Sequence, residues 1–154
     1  MATAKDILIA KINEAFIGVK LDGGIGLSEA NAIDDYRDLK YRDECKKKDE
    51  AYFWNKIPVS LLNQFNSSLS FFDAKGMRFH LPAFLIAELN RDYEFNLVFI
   101  LINLSDYSKS NFILLSKNQK EVVKLVLEYF LNDPNYEYER LKIENAIKYY
   151  WSNY

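Results

Sequence analysis

The chain has 154 residues, a net charge of −2 and one cysteine, and about half of its residues are apolar. That length suits one domain, 1–154, with enough apolar chain to bury a core without disulfides or a structural metal. Mild acidity argues against a phosphate-tracking surface, so general nucleic-acid binding is disfavoured, and a lone Cys45 cannot close an internal disulfide.

Lys5, Asp6 and Lys11 interrupt the apolar residues of the N-terminus, where a signal peptide needs an unbroken run. The longest apolar run, Leu97 to Ile102, falls far short of the roughly 20 residues a membrane span requires. A cytoplasmic protein that does not enter a membrane is the expectation. Residues 4–19 carry Leu8, Ile12, Ala15, Phe16 and Val19 at spacings of three and four, the stripe of an amphipathic helix. Gly18, Gly23, Gly24 and Gly26 follow. They predict a loop and not a phosphate cradle, since no strand precedes them and no Gly-Lys-Ser/Thr follows.

Ser28 is the expected N-cap of a second helix, with Ile33, Tyr36 and Leu39 facing inward. Residues 40–53 alternate charge at spacings of four, as in Asp43 with Lys47, and predict an exposed helix. Tyr52, Phe53 and Trp54 then return the chain to the core. Pro58 suits the first turn of a helix carrying Leu61, Leu62, Phe65, Leu69 and Phe72. Gly76 is placed to turn the chain, and Met77–Leu81 is expected to be extended because it precedes a proline. Pro82 then opens a helix to Tyr93, and Trp54, Phe72, Phe79 and Phe84 are expected to meet in the core.

Leu97–Leu104 is rich in β-branched and aromatic residues, and Asn111–Leu115 is a second short candidate strand. Leu97–Leu104 reads equally as a strand or as a buried helix, and as a strand it could join Asn111–Leu115 in one small β-hairpin over 97–115. Ser116 and Gln119 have the spacing of a capping box, and Val122, Val123, Val126, Leu127 and Phe130 form the apolar face of the helix it starts. Pro134 ends that helix. Residues 136–154 predict a last helix with an aromatic stripe. The fold class is therefore mainly α, a single multi-helix domain with room for that one hairpin.

The chemistry is sparse. One histidine and one cysteine exclude the four-ligand Cys/His zinc sites. No catalytic residue, cofactor site or metal site has a motif to support it. Asp34 and Asp38, four apart, could point to one side with Asp35 nearby and share a hard cation. A Cys45–His80 pair is conceivable but lacks any local signature, and His80 is read as structural. Asp73 and Arg78 are expected to pair across the turn at Gly76 as a loop clamp.

The motifs Trp54-x-x-Ile57-Pro58 and Leu69-Ser70-Phe71-Phe72-Asp73-x-x-Gly76-x-Arg78-Phe79-x-Leu81-Pro82-Ala83 resemble those of an uncharacterised family of small, mostly bacterial domains. Leu27–Ala30, Ile33–Tyr36 and Leu115–Gln119 share the likeness, which covers roughly residues 5–132. His80 stands where members of that family often carry an aromatic residue, usually Tyr, which speaks against a catalytic role. The resemblance implies a fold unit and no activity.

Three functional readings follow. The first is a non-enzymatic protein-interaction module, of the kind an immunity or accessory protein would be. It predicts a protein partner, with Tyr138, Tyr149, Trp151 and Tyr154 as candidate contacts, because Tyr and Trp bring large apolar area and a polar handle to a surface. The second is a carboxylate- or metal-dependent enzyme centred on Asp34, Asp35 and Asp38. The third is an assembly subunit that self-associates through the same aromatic stripe.

Overall fold

The chain runs through nine α-helices and no strand among residues 1–153, the residues described in the computed structural model. They are α1 (Ala4–Ala15), α2 (Leu27–Asp34), α3 (Leu39–Lys48), α4 (Val59–Gln64), α5 (Ala74–Leu89), α6 (Leu97–Ile102), α7 (Asp106–Asn111), α8 (Lys117–Phe130) and α9 (Arg140–Ala146). Short 3₁₀ turns cover Trp54–Lys56, Asn66–Ser70 and Pro134–Glu139, and a π-helical turn covers Ile147–Trp151.

Helix α5 is the axis of the molecule. Twelve of its sixteen residues are buried, so it is apolar nearly all round rather than along one stripe. The expected break at Gly76–Leu81 does not occur. Asp73 caps the helix, Gly76 sits in its first turn, and Pro82 lies inside it. A proline there removes the bond to the Arg78 carbonyl. Burial of Phe79, Leu81, Phe84 and Leu85, each wholly enclosed, outweighs that loss. Trp54, Phe72, Phe79 and Phe84 join one core as expected, and the Trp54 indole N–H donates to the Phe16 carbonyl at 3.0 Å.

Helix α1 packs on α5 and α8, and α8 buries the five residues its periodicity predicts. Ser116 and Gln119 close the expected capping box, with Gln119 N donating to Ser116 Oγ and Ser116 N to the Gln119 amide oxygen. Helix α3 buries none of its residues, as its charge pattern predicts.

The glycine loop is explained by close packing. A Cβ on Gly76 would lie 2.5 Å from the Ile25 carbonyl oxygen, and one on Gly24 would lie 2.6 Å from Lys75 Cβ. Gly24 and Ile25 therefore lie directly across the first turn of α5, while Gly26 packs against Asp49.

Three further expectations are corrected. Gly26, not Ser28, is the N-cap of α2, and its N–H donates to Glu29 Oε1. Ser28 instead donates through both N and Oγ to Asp49, which reaches in from the end of α3. Tyr36 and Leu39 face solvent, because α2 stops at Asp34 and Tyr36 turns the chain with a φ of 55°. The helix expected over Leu61–Phe72 breaks after Gln64 into the 3₁₀ turn Asn66–Ser70.

The hairpin over 97–115 is replaced by α6 and α7. Asn96 and Ser105 are side-chain N-caps, accepting from Phe99 N and Ser108 N, and each starts a six-residue helix. Two such caps in ten residues override strand propensity, which reports fit to a pleated surface more than backbone preference.

Candidate functional site

A groove of about 590 Å³ lies between the α6–α7 connection and the C-terminal segment. Ile102, Asn103, Leu104 and Ser105 form one wall with Lys109 of α7. Lys142, Asn145 and Ala146 of α9 form the other, continued by Tyr149 and Tyr150 of the π turn.

Local sequence explains both walls. On the first, α6 buries Leu97, Val98, Leu101 and Ile102 and ends where the Asn103 amide donates back to the Phe99 carbonyl. Ser105 then caps α7, which leaves Lys109 exposed on its outer side. On the second, Trp151 is the anchor. It is wholly buried, its indole N–H donates to the Leu101 carbonyl at 2.9 Å, and its ring meets Phe112 edge-on at 5.0 Å. Ser152 N donates to the Ile147 carbonyl across five residues, the bond of a π turn. With Trp151 drawn inward, Tyr149 is left 66 % exposed and Tyr150 half-buried at the groove edge.

The groove is cationic. Lys109 and Lys142 line it, and no carboxylate among the described residues does. The Lys109 and Lys120 ammonium groups stand 5.9 and 5.8 Å from the centre of the Tyr150 ring, and Lys148 stands 5.1 Å from that of Tyr149. These are distances at which a ring face attracts a cation. Burial raises the pKa of the Tyr150 hydroxyl, so it stays a neutral donor. The arrangement can attract negative charge through its lysines, hydrogen-bond through Asn103 and Asn145, and offer the face of Tyr149. Ser105 has no histidine, carboxylate or thiol beside it among the lining residues to act as a general base.

A family model described as a family of unknown function (DUF6714) matches residues 4–154. The chain belongs to that family. No curated protein and no solved structure matches it. The family span runs past residue 132, where the motif likeness ends, and takes in both walls of the groove.

Of the aromatic contacts predicted from sequence, Tyr149 lies in the groove and Tyr138 is 96 % exposed on the 3₁₀ turn before α9. Trp151 is a correction: it is core, not surface, because its indole is needed to fasten the last turn to α6. Tyr154 lies outside the described residues.

Asp34, Asp35 and Asp38 do not share a helix face. Asp34 ends α2, Asp35 is its C-cap and accepts from the Asn31 amide, and Asp38 is the N-cap of α3, accepting from Tyr41 N. No cluster of three histidine, cysteine or acidic side chains placed to hold a metal occurs among the described residues.

The clamp between Asp73 and Arg78 does not form either. Asp73 Oδ1 accepts from Gly76 N at 2.8 Å and Ile25 N at 3.0 Å, tying the glycine loop to α5. Arg78 turns instead to Asp22, at 3.4 Å. His80 is wholly buried and stacked on Phe72 at 4.4 Å between ring centres. Its Nδ1–H donates to the Gly76 carbonyl at 2.7 Å, and its Nε2 has no hydrogen-bond partner. Burial lowers its pKa from 6.5 to about 4, against the opposing pull of the Gly76 bond and Asp73. Cys45 sits half-buried on α3 and is not among its partners.

Sequence reasoning missed Lys109, Lys142, Asn103 and Asn145. One signal was available. Lys142 and Tyr149 are seven apart, which places both on one helix face. Nothing in the sequence brings Lys109 and Asn103 to that face, since they meet it only through the anchoring of Trp151 on α6.

Proposed function

We propose that the chain is a non-enzymatic protein-interaction module whose contact surface is the groove between the α6–α7 connection and the C-terminal segment. The observation that carries this reading is the exposed Tyr149 standing in a groove lined, among the described residues, by two lysines, two asparagines and no carboxylate. An exposed aromatic ringed by polar groups is what contact surfaces favour. The alternative, an enzyme centred on Asp34, Asp35 and Asp38, has less to stand on, because those carboxylates serve helix ends and do not converge.

The test is a photo-crosslinking residue placed at position 149, with one at exposed Tyr36 as the control, followed by reconstitution with whatever protein position 149 captures. A stoichiometric complex weakened at least about tenfold by Tyr149→Ala is expected, the loss typical of a contact residue. A purified complex indifferent to Tyr149→Ala would overturn the assignment of the surface.

A further inference from the structure

We propose that the groove takes an acidic, extended segment of a partner protein, with side-chain carboxylates set against Lys109 and Lys142 and the segment lying over Tyr149. This rests on the interaction reading and names the partner's chemistry. Charge complementarity selects this occupant. The chain as a whole carries 22 acidic and 20 basic residues, yet the groove lining among the described residues has two lysines and no acid. Lys120 and Lys148 extend that positive field around Tyr150 and Tyr149. Asp106 and Glu144 are sequence neighbours of lining residues, but neither lines the groove. The two lining lysines also take no part in the ion pairs formed among the described residues, where Lys46, Arg78, Arg91 and Lys124 each meet a carboxylate.

Shape narrows the occupant. The groove lies open to solvent between two walls and is not an enclosed chamber. Small-molecule sites bury most of their ligand, whereas an extended peptide needs a trough with polar groups along its rim. Asn103 on one wall and Asn145 on the other supply amide groups for a peptide backbone. Lysine is also the suitable cation here: it is a mobile point charge that can follow carboxylates at variable spacing, where arginine would impose a fork.

The experiment is an amide-resolved NMR titration of the full chain with a capped peptide of alternating Glu and Gly, eight residues long. Its neutral Gln-Gly counterpart and inorganic phosphate serve as comparison probes. The Glu-Gly peptide is expected to shift the amides of residues 103–109 and 142–150 saturably, with an affinity that falls as salt is raised. The double variant Lys109→Glu with Lys142→Glu should weaken it by about tenfold, the scale of two reversed surface pairs. Lys109→Gln with Lys142→Gln supplies the same test without reversal should the first variant fold poorly. Equal binding of the Gln-Gly peptide would overturn the proposal in favour of uncharged recognition. Saturation by phosphate alone would overturn it in favour of a small-anion site. Shifts centred on Lys46–Lys48, or no shifts, would also overturn it. None of these outcomes touches the assignment of the contact surface, which Tyr149→Ala in the reconstituted complex tests separately.

Discussion

The first turn of α5 and the C-terminal groove both concentrate polar groups beside aromatic rings, and they put them to opposite use. At α5 the polar groups face inward. Asp73 holds two main-chain N–H groups, and His80 donates to Gly76 and stacks on Phe72. In the groove Lys109, Lys142 and Asn145 face outward, and the ring beside them, Tyr149, is exposed. The first arrangement closes a contact 48 residues long between Asp73 and Ile25, which makes it part of the fold. The second leaves its charges unneutralised by any lining carboxylate among the described residues, which makes it a candidate for recognition. The most motif-like stretch of a chain can thus be its most structural one.

Breaking the anchor beneath the groove should have the largest effect. Trp151→Ala removes a wholly enclosed indole and its bond to Leu101. A loss of about 3–5 kcal/mol is expected, the usual range for a buried Trp or Phe cut to Ala. Chemical denaturation measures it directly. An unchanged midpoint would mean that the C-terminal segment folds independently of α6.

The next effect is one of pH at α5. The folded state holds His80 neutral, with a pKa near 4 against an ordinary 6.5. Its contribution to stability is therefore full above pH 6.5 and is lost as pH falls toward 4. The loss amounts to about 3 kcal/mol, because below pH 6.5 the unfolded chain takes up a proton on His80 that the folded state does not bind. Glu88 works in the opposite direction: burial raises its pKa, so stability from this group is present at low pH and declines as pH rises. His80→Phe separates the two. It keeps a ring against Phe72, discards the unpartnered Nε2, and leaves the Gly76 carbonyl its helical bond from the main chain at position 80. Denaturation midpoints of this variant should lose their drop between pH 6.5 and 4, and a drop that persists would place its cause elsewhere.

Gly76→Ala comes third. Its new Cβ would sit 2.5 Å from the Ile25 carbonyl, a backbone atom that moves only with the loop. About 1–3 kcal/mol is expected, as for other overpacked sites. A variant as stable as the parent would show that Gly24 and Ile25 can lift off α5.

Much of this was legible in the sequence, and what was not has particular causes. The faces of α1 and α8, the exposed α3, and the burial of Trp54, Phe72, Phe79 and Phe84 follow from periodicity and residue type. The continuous α5 does not, because the local bias at Leu81-Pro82 against helix is outweighed by burial that only the assembled core provides. The hairpin reading of residues 97–115 fails in the same way, and the helical one holds. Their β-branched content is a weak preference, while the caps at Asn96 and Ser105 are local and decisive. Asp49 closing onto Ser28 and Glu29 spans about twenty residues and has no motif. At the groove, Tyr149 was legible as an aromatic in excess of one helix face. Lys109 was not, since its place depends on where Trp151 docks.

The smallest effect on stability should come from the groove itself, and that is what would distinguish it from α5. Tyr149 is 66 % exposed, and Lys142 is exposed on α9. Neither fills the core, and neither joins an ion pair among the described residues. Tyr149→Ala combined with Lys142→Ala should therefore shift stability by about 0.5 kcal/mol or less, the range for surface sites away from caps and networks. Circular dichroism melts give the number. A loss of more than 2 kcal/mol would show that the Tyr149 ring packs on the domain as Trp151 does. The groove would then be a second inward-facing region, and the contrast with α5 would disappear. A near-zero change would leave two side chains of large area and full charge that the fold does not need, on the face where a partner's carboxylates would be felt.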